Sequence, residues 1–138
     1  MAIFPANVGR QYPLVTCLKL QGSDITTAVV TTNVGIANAF DLPNEYIVLR
    51  GFIYVKTVFD GTTATFTLGD SGSAARFLSA VDLKTAATTA FSGVPFHSST
   101  IGSAIGKYIW TGTPTAVGLA YVVMEYIIPD RSLEVQPN

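Results

Sequence analysis

Residues 66–80 read Phe-Thr-Leu-Gly-Asp-Ser-Gly-Ser-Ala-Ala-Arg-Phe-Leu-Ser-Ala, and within them Gly69-Asp70-Ser71-Gly72 spells the tetrapeptide that surrounds the nucleophilic serine of trypsin-like proteases. Such a serine needs a base to take its proton and a carboxylate to orient that base. The chain has one histidine, His97, and it follows Ser71, whereas the trypsin-like order places the histidine first. The motif continues Gly72-Ser73-Ala74 instead of Gly-Gly-Pro. The order Ser71, Asp82, His97 is formally that of the hydrolases with Gly-x-Ser-x-Gly between a strand and a helix. Gly-Asp-Ser-Gly-Ser does not have that spacing. The simpler reading is a turn that ends a strand, in which glycine supplies unusual dihedrals and Asp or Ser bonds nearby amides. No catalytic residue is expected, and the chain reads as a non-enzyme.

Metal and cofactor chemistry find no better footing. A lone His97 builds no metal site without carboxylate help. Asp60, Asp70 and Asp82 do not follow the Asp-x-Asp-x-Asp-Gly spacing of a calcium loop. Asp60 and Asp70 flank one strand run, which by strand rise sets them roughly 20 Å or more apart. Nothing in the carboxylate spacing favours glycoside chemistry. The single Cys17 excludes an intrachain disulfide and a cysteine-based zinc cluster, and reads as a small buried hydrophobe within a strand. No cofactor and no metal are expected.

The elements that hold these residues read as strands. Residues 11–22 alternate Leu14, Thr16, Leu18 and Leu20 against Val15, Cys17 and Lys19. Residues 26–33 are β-branched. Residues 45–59 are a long run of β-formers with Gly51 as a bend or bulge. Residues 62–69, 106–112 and 115–128 complete the set, each bounded by Gly, Pro, Asn or Asp. The Ala-rich stretch 71–93 has room for a helical turn, although Gly, Thr and Ser interrupt it. Asp60-Gly61 predicts a two-residue hairpin turn. That register sets Thr57 against Ala64, Val55 against Phe66 and Ile53 against Leu68, with Lys56 facing Thr65 and Tyr54 facing Thr67. Several strands without crossover helices predict an all-β fold, a single antiparallel β-sandwich, jelly-roll-like. Residues 69–99 then form a long irregular connection. The domain spans residues 13–128, with an N-terminal arm over 1–12 and a C-terminal tail over 129–138.

Hydrophobic residues make up 49% of the chain and charged residues only 12%, about half the usual share. That points to a subunit whose surface is hidden in an assembly. The net charge is −1 and the basic residues are scattered, which argues against nucleic acid as a partner. The N-terminus lacks the features of a signal peptide, and no run reaches 18 apolar residues, so no membrane partner is expected. The long strand carries Ile47, Leu49, Ile53 and Val55 on one face and Tyr46, Val48, Phe52 and Val58 on the other. A sandwich core needs one of them, so the second predicts a homo-oligomer. The arm carries Ile3, Phe4, Pro5, Arg10 and Tyr12 without strand periodicity. These five are the candidate contacts to another protein, with the prolines limiting the entropy lost on docking.

The segment from Phe40 to Leu83 resembles small virion proteins of tailed bacteriophages. Phe40-Asp41-Leu42-Pro43, Phe59, Leu68-Gly69-Asp70 and Arg76-Phe77-Leu78 carry the likeness, which covers roughly residues 25–85 with the final strand also similar. The resemblance implies a jelly-roll-like structural subunit: a capsid decoration (cement) protein on the outer capsid surface, partnered by the major capsid protein and by itself, as a homotrimer. It implies a virion location after assembly in a host cytoplasm. Under it, Asp70 to Leu78 is a structural loop that Arg76 anchors by fork-like hydrogen bonds to a carboxylate or carbonyls. A neck or tail-fibre component, or a carbohydrate- or receptor-binding module using the aromatics of residues 51–55 and 107–110, is the alternative.

Overall fold

The computed structural model describes residues 12–23, 33–40, 42, 45–98, 104–111 and 116–129. Nine strands follow one another: β1 Leu14–Gln21, β2 Asn33–Phe40, β3 Tyr46–Thr57, β4 Thr63–Gly69, β5 Leu78–Asp82, β6 Thr88–Ala90, β7 Phe96–Ser98, β8 Ala104–Thr111 and β9 Leu119–Ile127. They form two antiparallel sheets. The first has the order β1-β9-β3-β6, with β7 also on β3; the second runs β2-β8-β4-β5. Residues of both sheets share one core, in which Tyr46, Val48, Ile53, Val55, Val122 and Met124 meet Ala64, Phe66, Leu68 and Leu78. The fold is thus an antiparallel β-sandwich. No helix among the described residues is long and apolar enough to cross a membrane.

The predicted Asp60–Gly61 hairpin does not form. β3 pairs with β9, β6 and β7, whereas β4 pairs with β8 and β5. Residues 58–62 carry the chain from one sheet to the other. Ile53, Val55, Ala64, Phe66 and Leu68 are all buried, as the alternation requires. The same alternation arises whether two strands share one face or look at each other across a core, so periodicity alone does not tell these apart. Gly61 keeps the positive φ of a turn, 99°. Phe59, 1% exposed, plugs the end of the core. Its amide donates to the Leu83 carbonyl at 3.0 Å. Gly118 lies against its ring with φ of 138°, where any Cβ would strike it.

A second correction concerns the two apolar faces of the long strand. Val48 pairs with Tyr126 and Arg50 with Glu125, so Leu49 is an extra residue, a β-bulge. The bulge reverses parity. Tyr46 and Val48 point inward before it, and Ile53 and Val55 point inward after it. Each expected face therefore gives half of itself to one core. Gly51 lies two residues past the bulge, where its bare Cα admits the Phe91 ring.

The stretch 69–99 is less irregular than expected, since it contains β5, β6 and β7. Ala74 and Ala75 form a single hydrogen-bonded turn, the Arg76 amide donating to the Ser73 carbonyl at 3.3 Å, and strands β5 and β6 follow it. The strand expected over residues 26–33 lies outside the described residues except for Asn33.

Candidate functional site

The Gly-Asp-Ser-Gly motif is a loop clamp. Gly69 ends β4, and a Cβ there would run into the backbone of Ser73 and Ala74, so the loop closes only over glycine. Asp70 and Ser73 exchange backbone hydrogen bonds of 2.9 and 3.2 Å. The Asp70 carboxylate accepts from the Gly72 and Ser73 amides, both at 2.9 Å. It also accepts Arg76 Nε at 2.6 Å and Arg76 Nη2 at 3.2 Å. The fork expected of Arg76 therefore closes on a carboxylate, that of Asp70, six residues away. Burial pushes the Asp70 carboxyl up, but the bonds from Arg76, Ser73 and Gly72 outweigh it and hold the carboxyl below its ordinary value.

Arg76 also ties the two sheets together. Its guanidinium lies 4.0 Å from the centre of the Phe96 ring on β7. Phe77 follows it into the core, stacked on Phe91 at 5.5 Å and edge-on to Phe96 at 5.8 Å. The clamp thus joins the end of β4 in one sheet to β7 in the other.

The groups a serine nucleophile would need are engaged by other partners. Ser71 is exposed on the tip of the loop. Asp82 pairs with Thr65 across the sheet, which by strand rise leaves it roughly 15 Å from Asp70 along β4. Its carboxylate accepts from the Lys84 amide at 2.9 Å and the Thr85 hydroxyl at 2.7 Å, which lower its pKa. His97 Nε2 lies 2.8 Å from Glu45. Cys17 is exposed on β1, not buried as expected, because it falls on the outward parity of that strand. No group of three metal-ligating side chains occurs among the described residues.

What the fold does assemble is a surface. The large hydrophobics exposed among the described residues are Tyr12, Val15, Phe52, Tyr54, Val58 and Val117. Val15, Phe52 and Tyr54 lie on the outward face of the β1-β9-β3 sheet, and the others sit in the segments that border its strands. Strand register orders that face in rows: Val15, Glu125 and Arg50; then Cys17, Val123 and Phe52; then Lys19, Tyr121 and Tyr54. Val15, Arg50, Phe52, Val123 and Glu125 frame a shallow dent above Gly51. Arg50 Nε donates to Glu125 at 2.7 Å along its rim. The opposite sheet turns Thr63, Thr65 and Thr67 outward along β4.

Of the five residues expected to contact another protein, Ile3, Phe4, Pro5 and Arg10 lie outside the described residues. Tyr12 is half exposed, just ahead of β1. Sequence reading missed the outward face as a unit, since Phe52 and Tyr54 were divided from Val15 by a register it did not contain. The alternation of Val15, Cys17 and Lys19 and the aromatics of residues 51–55 were its visible signals.

No family model and no curated protein matches the chain. Among solved structures, 94% of this chain superposes on the whole of a chain from the cyanophage Pam1 capsid asymmetric unit, with a TM-score of 0.64 and 20% identity. The two share a fold.

Proposed function

We propose that this chain is a non-enzymatic structural protein of a tailed-phage virion, a decoration (cement) protein that binds and stabilises the outer capsid surface. The observation that carries the reading is the likeness over nearly the full chain to all of a chain from a capsid asymmetric unit. The residues of the phage-protein resemblance add to it, because they fall on the core and on the Asp70–Arg76 clamp. The strand order supports a jelly roll: β1 and β2, β3 and β4, and β8 and β9 each change sheet, as in the double-sheet form of that fold. The low charge of the chain fits a subunit covered by neighbours.

In this reading the N-terminal arm, through Ile3, Phe4, Pro5, Arg10 and Tyr12, makes part of the capsid contact, and the protein acts as a homotrimer. The experiment is to add full-length protein, and a form lacking Met1 to Val8, to particles devoid of it. Full-length protein should decorate them and the truncated form should bind more weakly. Equal binding removes the arm from the contact, and no binding by either form removes the cement assignment. Light scattering tests the trimer, which a monomer at micromolar concentration would refute. The outward aromatics Phe52 and Tyr54 favour one second reading, a carbohydrate-binding face on a neck or fibre component. Saturable binding of a glycan, abolished by Tyr54→Ala, would move that reading ahead.

A further inference from the structure

We propose that the outward face of the β1-β9-β3 sheet is the docking surface for the shell protein, and that the patch it meets there is apolar at its centre and acidic around it. The inference rests on the capsid reading above and assigns the contact to a face which that reading leaves open. Among the residues whose side chains are described, the exposed Val15, Phe52 and Tyr54 stand on this sheet, while β4 of the other sheet presents threonines. Aromatic centres with polar rims are the anatomy of protein interfaces.

Charge selects the partner. Among the described residues, Lys19, Arg50 and Lys56 are exposed on this face of β1, β9 and β3, and the carboxylate within it is Glu125, which Arg50 already engages. The chain as a whole is −1, so this face carries the sign opposite to the molecule. A partner patch with carboxylates pairs with these cations and steers its own approach. The dent framed by Val15, Phe52 and Val123 offers a seat for one apolar side chain.

The test uses full-length protein and particles lacking it. Phe52→Glu should weaken decoration at least tenfold, as should Lys19→Glu with Lys56→Glu. Wild-type binding should fall as salt rises from about 50 to 300 mM, and the double lysine variant should lose most of that dependence. Thr65→Glu, on the other sheet, should bind like wild type. Melting curves establish that each variant folds; if Phe52→Glu does not, Tyr54→Ser takes its place. Wild type that decorates while every folded face variant binds equally overturns this inference and leaves the capsid reading standing. Wild type that binds no particle overturns both. Face variants that instead break a self-assembled oligomer into smaller species show that the occupant is a second copy, and overturn the choice of partner.

Discussion

Replacing Arg76 by alanine tests the loop clamp most directly. The substitution leaves Asp70, 8% exposed, as a carboxylate with its two amide donors and no counter-charge, and it uncovers one face of Phe96. Orphaning one member of a buried pair costs about 3–5 kcal/mol. Arg76 retains 27% exposure, which brings the expected loss to about 2–4 kcal/mol with the lost ring contact included. For a chain of this size that lowers the melting temperature by roughly 6–15 °C. Arg76→Lys, which keeps the charge but not the fork, should fall between. A pH series adds a second readout. The Asp70 carboxyl is held below its ordinary value in the folded chain. Its contribution is therefore full above the unfolded carboxylate value of about 3.9 and is lost as pH falls through the lower folded value. Wild type should lose stability below about pH 4 more steeply than Asp70→Asn, and the two slopes should agree above about pH 5. Arg76→Ala melting within about 2 °C of wild type, or equal acid slopes, would refute the buried-pair reasoning.

Ala80 sits at a φ of 46° where β5 bulges between its pairings with Phe66 and Leu68, a conformation that suits glycine. Ala80→Gly should raise stability by about 0.5–1 kcal/mol, and a lowered melting point would contradict the strain. Gly51→Val would drive methyl groups toward the Phe91 ring and the Val123 carbonyl, and should cost at least about 1–3 kcal/mol; unchanged melting would show that the bulge gives way. In a Cys17→Ser background, Tyr54→Cys with Tyr121→Cys should form a disulfide, because these residues are register partners. Tyr54→Cys with Thr67→Cys, partners only in the hairpin, should stay reduced. The reverse result on non-reducing gels would restore the hairpin.

Local chemistry was legible where it repeats. β3, β4, β8 and β9 are rich in β-branched and aromatic residues, β1 alternates its leucines, and the sequence marks all five. β2, Asn-Val-Gly-Ile-Ala-Asn-Ala-Phe, mixes Val, Ile and Phe with Asn, Gly and Ala, which strands disfavour, and it pairs with β8. β5, β6 and β7 are only five, three and three residues long, too short for an alternation to show. Partnership was the harder quantity. Whether β4 lies beside β3 or across from it is decided by β8 and β9, some forty to sixty residues further on, and no local pattern holds that information. The Leu49 bulge hides in the same way, since one extra residue in an unbroken run of β-formers leaves no mark until a partner strand is known.

The division between fold and partner follows from where the shared phage-protein residues landed. Phe40, Leu42, Phe59, Leu68, Phe77 and Leu78 are buried. Gly69 admits the loop backbone, and Asp70 and Arg76 close the clamp. Each of those described positions has a structural reason for its residue type that holds in any assembly. Val15, Lys19, Phe52, Tyr54 and Lys56 carry none of the resemblance, and nothing in the core requires them to be apolar, aromatic or cationic. A resemblance made of core and clamp residues transmits a sandwich, and two chains can share it while meeting different neighbours. Under the docking proposal the choice of neighbour is written instead on the outward parity of β1, β3 and β9, where substitution costs the core little and changes what the face can bind. On the capsid proposal, the position of the subunit in a particle is a property of that face, and variants there should alter binding without altering the fold.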